Sequence, residues 1–317
     1  MTLSKTTISE KKATRDALAQ ALNELAYEKR LVVLSADLKK PTKVDKFALD
    51  HPDKYIECGI AEANMVGISA GLAQGGFQPI CTSFASFLTG RYDIIRVSIA
   101  YQNVPVVLVG THAGLAIGKD GVTQMGLEDI SLMRGLPNME VLNPSTFSQA
   151  LDIIRNLIQM DRQNPYYLRL GRQPVYERYD SKVNLNDGFD TIGTGKDIAI
   201  CSTGCVLDEC VEARERLLEK GINSQIIDVF KIGKNLSNNL LECIKNHHSI
   251  ITVEDHMTLG GLGSFISDGI LENDVKVKIK RIGVNNIFPQ SGEPASLYER
   301  YGINASNIVK KALSLVK

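Results

Sequence analysis

The sequence predicts an α/β protein made of two doubly wound α/β domains. Three observations carry this. Short, continuously apolar runs alternate with amphipathic stretches along the whole chain. The length, 317 residues, exceeds what one core usually holds. A polar segment rich in Asp, Asn and Gly, 172–196, divides the pattern in two and reads as a linker.

Each element has its own reason. Residues 11–29 read as a helix, with Ala17, Leu18, Ala21, Leu22 and Leu25 along one side. The run 31–35, Leu-Val-Val-Leu-Ser, has no polar alternation and predicts a parallel strand covered on both faces. A small-residue helix, read as buried, then runs from Glu62 to Ala73. Strands are expected at 77–82, 104–109, 140–144 and 165–170, and helices at 91–101 and 148–160. A glycine-rich loop spans Gly110 to Gly126. Beyond the polar segment, strands are expected at 197–201, 224–229 and 249–254, and a helix at 206–220. The expected division is 1–180 and 195–317. Ligands of doubly wound sheets bind outside the carboxyl ends of the strands, which gathers Glu62, the Phe84 region and the glycine-rich loop.

Composition excludes several function classes. Lys plus Arg equals Asp plus Glu at 36 each, so no electrostatic case exists for nucleic acid or an anionic membrane. No apolar run reaches the length of a membrane span, and Met1–Thr6 lacks a secretory pattern. A cytoplasmic location is expected. Cys201, Cys205 and Cys210 do not follow a zinc spacing, and reduced cysteines packed as small hydrophobes are expected. No metal site is assigned to this chain.

Glu62 is the most informative single residue. A carboxyl group inside an apolar helix is costly unless paired or kept protonated. It either caps the helix N-terminus or hydrogen-bonds a heterocycle nitrogen. Phe84 and Phe87, three apart, are core aromatics or the wall of a flat ring. The glycine-rich loop offers His112, Asp120 and Gln124, groups suited to hydroxyls. Arg169 and Arg172 either grip an anion or pair internally. The turn Gly260-Gly261-Leu262-Gly263-Ser264 lacks a nucleotide-binding spacing and reads as a packing turn, although it could hold an anion at a helix N-terminus.

Together these residues resemble the C-terminal half of transketolase. The matching pieces are Ser35-Ala36-Asp37-Leu38, Gly59-Ile60-Ala61-Glu62, the stretch 84–96, Thr111-His112, Gly118-Lys119-Asp120-Gly121 and Leu170-Gly171-Arg172. Thr252-Val253-Glu254-Asp255-His256 and Gly260-Gly261-Leu262-Gly263 are similar to that family's C-terminal domain. The resemblance implies a thiamine-pyrimidine-binding domain followed by a transketolase C-terminal-like domain, and thiamine diphosphate as cofactor. It implies that Glu62 hydrogen-bonds the aminopyrimidine, that Phe84 and Phe87 wall that ring with Ile60 close by, and that Leu38 lies under the cofactor with Asp37 beside it. His112 and Asp120 would bind ketose hydroxyls, and Arg15 and Arg172 the distal anionic group.

The family's Gly-Asp-Gly…Asn motif for diphosphate and Mg²⁺ does not occur in this sequence. The resemblance therefore implies a partner, the N-terminal subunit of a split transketolase, that would hold the diphosphate and the Mg²⁺ or Ca²⁺ ion in an α₂β₂ assembly. Two departures lie on the substrate side. Gln124 stands where relatives usually carry His, and Lys39-Lys40-Pro41 replaces a small turn that touches substrate phosphate. The expected reaction is transfer of a two-carbon ketol unit from a ketose to an aldose, with a specialised sugar in place of the usual pentose phosphates. A deoxyxylulose phosphate synthase-like enzyme, a 2-oxo acid dehydrogenase beta-type subunit and a non-catalytic regulatory subunit are the alternatives.

Overall fold

The computed structural model describes residues 11–179 and 182–316. The expectation for Met1–Thr6 lies outside them. The first sheet has six strands: β2 (Leu31–Ser35), β3 (Tyr55–Glu57), β4 (Gln78–Phe84), β5 (Val107–Thr111), β6 (Glu140–Leu142) and β7 (Tyr166–Leu170). Their spatial order is β3-β2-β4-β5-β7-β6 and every pairing is parallel. Alternate residues feed opposite layers. Leu34, Cys81, Leu108 and Val141 pack into one core, and Val33, Ile80, Val107 and Leu142 into another. Both faces being covered is why these strands read as unbroken apolar runs.

One of those faces carries α1 (Asp16–Glu24) and α7 (Phe147–Gln159), which pack on each other. The α7 start is fixed by Thr146, whose hydroxyl accepts the Gln149 N–H. The helix expected over 11–29 is shorter. Lys12–Ala13 form a strand, β1, paired antiparallel with Pro174–Val175, β8. The apolar side that drives the helix ends at Leu25, and the polar Glu28-Lys29-Arg30 turn leads into β2. The other face carries α3 (Glu62–Gln74). This helix is not buried all round as expected. Met65, Val66, Ser69, Ala70 and Ala73 face the sheet, while Ala63, Asn64 and Gly71 face solvent. Its residues are too small to show a polar face in the sequence.

The helix expected at 91–101 is a short α-turn, Tyr92–Ile94, continued as a π-helix, Ile95–Ala100. The glycine-rich loop contains a helical turn, Leu115–Asp120, broken at Gly118 (φ 74°). Leu115, Ala116 and Ile117 are buried there, which accounts for three apolar residues in the glycine-rich loop.

The second sheet comprises β9 (Phe189–Ile192), β10 (Ile198–Thr203), β11 (Ser224–Val229), β12 (Ser249–Met257) and β13 (Lys278–Val284), in the order β13-β12-β10-β11-β9. All its pairings are parallel except the edge strand β9. The segment 172–196 is thus not a free linker. It contributes β8 to one side and β9 to the other. Both are short, and the polar residues around them hide the signal. Helices α8 (Leu207–Leu218), α10 (Leu262–Glu272), α11 (Pro294–Tyr301) and α12 (Ala305–Val316) cover this sheet. Among the described residues no helix is long and apolar enough to cross a membrane.

Candidate functional site

The site residues lie where β2, β4 and β5 end. After β2 the backbone turns through Asp37 in a left-handed conformation (φ 59°). Glu57, at the end of β3, fixes this turn: its Oε1 accepts the N–H groups of Asp37 (2.7 Å) and Gly59 (3.0 Å), and its Oε2 accepts the Tyr55 hydroxyl (2.6 Å). These bonds, together with the charge of Lys39, hold the Glu57 carboxyl below its ordinary range although burial opposes them. Leu38 N–H donates to Ser35 Oγ at 3.3 Å. One carboxylate therefore joins the Asp37–Leu38 turn to the Gly59–Ile60 turn. Ile60 is 84% exposed and packs little against its own chain.

Glu62 opens α3 and is buried. The Ser83 hydroxyl, at the end of β4, lies 3.5 Å from its Oε1. The next residue, Phe84, stacks on Phe87 with ring centroids 5.3 Å apart and 26° between planes. Phe84 also lies 4.1 Å, centroid to centroid, from the His112 ring.

His112 follows β5 in a left-handed conformation (φ 58°), unusual for a residue with a side chain. Its Nδ1 lies 2.9 Å from Thr111 Oγ1, and the Thr111 hydroxyl lies 3.3 Å from the Ser83 carbonyl. Its Nε2 lies 2.7 Å from Arg15 Nη1. Since a guanidinium only donates, Nε2 accepts and the ring proton sits on Nδ1, facing Thr111. Burial pushes the imidazole down to about 3, and the charges of Arg15 and Arg172 act in the same direction. His112 is therefore neutral.

Arg15 also donates to the Pro41 carbonyl (3.2 Å), which ties the Lys39-Lys40-Pro41 turn to the site. Its N–H donates to the Gly171 carbonyl, so Arg172 is its close neighbour. Arg172 Nη1 lies 3.5 Å from Asp120 Oδ2, with both side chains nearly half exposed. Gln124 is half-buried, and its N–H donates to the Gly121 carbonyl at 3.0 Å.

The structure thus brings Glu62, Phe84, Phe87, His112 and Arg15 into one run of contacts, and Asp120 onto Arg172. Four contributors carry no role that the sequence alone suggests: Glu57, Ser83, Thr111 and Asp255. Two of them, Ser83 before Phe84 and Thr111 before His112, sit beside a residue that does, which is the available signal. Arg169 is not free to grip a ligand. Its Nε lies 2.8 Å from Asp129 Oδ2, both side chains are buried, and its Nη2 donates to the Gly126 and Asp255 carbonyls. At the Gly260–Ser264 turn the anion is the chain's own: Glu254 accepts the N–H groups of Leu262 (2.7 Å) and Gly263 (3.0 Å) at the start of α10. Among the described residues all six cysteines are free thiols.

Comparison with known proteins follows the same division. Residues 10–177 match the family "Transketolase, pyrimidine binding domain" and residues 189–308 match "Transketolase, C-terminal domain". The 6-deoxy-6-sulfo-D-fructose transketolase subunit SqwH of Clostridium sp. (strain MSTE9) is 34% identical over 94% of this chain and 92% of its own length. A subunit of the apulose-4-phosphate transketolase of Phocaeicola vulgatus is 32% identical over 96% of this chain and 98% of its own. The solved structure of a split-gene transketolase, an inactive beta4 tetramer, superposes with a TM-score of 0.86 at 34% identity, covering 96% of this chain and 99% of that one.

Proposed function

Because the chain belongs to the transketolase family, which depends on thiamine diphosphate, we propose that it is the C-terminal subunit of a two-chain transketolase. It acts with an N-terminal subunit that holds the cofactor diphosphate and its Mg²⁺ ion, in an α₂β₂ assembly. The division of this chain is 1–180 for the pyrimidine-binding domain and 195–317 for the C-terminal domain.

The observation that carries this reading is the unbroken run Glu62–Ser83–Thr111–His112–Arg15. It joins a carboxyl group suited to a heterocycle to groups suited to an anionic sugar. The residues fit the pyrimidine half of the cofactor. Glu62 is buried with one long hydrogen bond, leaving it capacity for a ligand nitrogen, and the Phe84–Phe87 pair offers a flat apolar wall. When bound, thiamine diphosphate supplies the carbon nucleophile that carries the ketol unit. The chain's own groups do the rest. Glu62 holds the aminopyrimidine. Leu38, Asp37 and Ile60 border the cofactor. His112, Asp120 and Gln124 bind sugar hydroxyls. Arg15 and Arg172 hold a distal phosphate or sulfonate.

His112 is neutral and both its ring nitrogens are taken, Nδ1 by Thr111 and Nε2 by Arg15, so a sugar hydroxyl reaches it by replacing Arg15 at Nε2 as Arg15 turns to the distal anion. Gln124 can bond a hydroxyl but cannot shuttle a proton. Lys39 and Lys40 add exposed positive charge to the turn whose Pro41 carbonyl Arg15 bonds. The charge suits an anionic sugar, and the Gln124 departure favours a specialised one over the usual pentose phosphates, as with the sulfofructose and apulose phosphate enzymes above.

The test is to produce the chain with an N-terminal subunit and measure cofactor binding and ketol transfer. Cofactor bound only by the pair, with ketose consumed only when an aldose is present, supports the reading. Decarboxylation of pyruvate by the pair, or full activity on xylulose 5-phosphate and ribose 5-phosphate with no other acceptor used, refutes the corresponding part.

A further inference from the structure

The loop that carries His112 and Asp120 does not hold its shape alone. It rests on the second sheet's unit. Asp255, buried near the end of β12, accepts the Leu115 N–H at 2.8 Å. The Tyr298 hydroxyl, from α11, donates to the other oxygen at 2.9 Å. The fit is close. Gly114 has φ 83°, and a Cβ there would stand 2.1 Å from Asp255 Oδ2. A Cβ on Gly118 would meet the Gly292 carbonyl at 3.1 Å, and one on Gly121 would meet Ser291 Oγ at 2.4 Å. The far end is tied by Arg169, whose Nη2 bonds the Gly126 and Asp255 carbonyls together, while Gly114 N–H donates to the Gly126 carbonyl.

We propose that Asp255, with Tyr298 behind it, is a positioning residue for sugar binding: it sets the backbone of 113–121 and thereby places His112 and Asp120. The second unit is then part of the substrate-binding machinery, although it contributes no group that touches substrate. This rests on the reading above for what the loop binds. The physical reason is that a segment with three left-handed glycines has many accessible conformations, and a buried carboxylate that accepts the Leu115 N–H and packs directly on Gly114 selects one. No hydrogen bond joins Asp255 or Tyr298 to Glu62, so cofactor and sugar effects separate.

The experiment uses Asp255→Asn and Tyr298→Phe in the full chain. Tyr298→Phe keeps the ring packed and removes only the bond to Asp255. Hydrogen exchange followed by mass spectrometry is expected to show protection lost at 113–121 and kept in β4 and β10. In the two-subunit assembly, kcat/KM for the ketose is expected to fall roughly ten-fold or more, with thiamine diphosphate affinity unchanged. Unchanged protection at 113–121 in both variants would overturn the proposal. So would protection and cofactor affinity falling together across the chain. Should the unmutated assembly transfer no ketol unit, the functional reading fails, and the exchange result still decides whether Asp255 holds the loop.

Discussion

Arg15 Nη1 lies 2.7 Å from His112 Nε2, a cation donating to an imidazole that has no proton to spare. The two residues are 97 positions apart, so no local pattern pairs them. The contact joins the start of α1 to the end of β5, and it fixes the state of the histidine.

That state has a pH signature. Burial first, then Arg15 and Arg172, push the folded-state imidazole down to about 3. The unfolded chain takes up the proton near 6.5, as an ordinary histidine does, to within about one unit. The folded value is the lower one, so this contribution to stability is complete above about pH 6.5 and is lost as pH falls toward 3. His112→Gln is expected to flatten the stability curve across that window. Urea titrations at several pH values check it, and parallel curves for the two proteins would refute it.

Glu62→Gln keeps shape and burial but changes what the carboxyl group can exchange with a ring nitrogen. Ketol transfer by the assembly is expected to fall by roughly 10²-fold or more. The thermal midpoint of the isolated chain should stay close to that of the parent, because Glu62 makes only one long hydrogen bond. A variant with full turnover would remove Glu62 from the chemistry.

Gly114→Ala places a methyl group on Asp255 and demands a left-handed conformation of alanine. A cost of roughly 1–3 kcal/mol is expected, with a loss of sugar binding. Denaturant midpoints and KM for the ketose check both.

Arg169→Met leaves Asp129 as a buried, uncompensated carboxylate and frees the Gly126 and Asp255 carbonyls. Breaking one side of such a pair costs roughly 3–5 kcal/mol. A loss under about 1 kcal/mol by denaturation would show that the pair behaves as a surface pair does.

Gln124→His tests the departure that the resemblance to transketolase marks in the substrate loop. The ratio of kcat/KM for pentose phosphates to that for other sugars is expected to rise. An unchanged ratio would place specificity elsewhere, with the Lys39–Lys40 turn the next position to vary.

The central parallel strands are legible because burial on both faces writes itself as unbroken apolar runs, as at Leu31–Ser35 and Ser224–Val229. The strands β3, β8, β9 and β13 are not: the first three are two to four residues long and flanked by polar groups, and β13 sets Lys278, Lys280 and Arg281 among its apolar residues. The site divides in the same way. Glu62, Phe84 and His112 stand out by chemistry, yet the roles of Glu57 and Asp255 emerge only when backbone N–H groups are brought to them. Small-residue composition also overstates α3 as buried, because Gly67 and Gly71 give no sign of which way they face.

The Gly260–Gly263 turn shows how a binding motif can be closed from within. Its helix start offers two N–H groups to an anion, and Glu254 fills the place. A Cβ on Gly261 would stand 2.0 Å from that carboxylate, so the glycine is there to admit an internal guest. The occupant is tethered to the chain itself, and Glu254→Ala would leave the Leu262 and Gly263 N–H groups without it, a place open to a small anion.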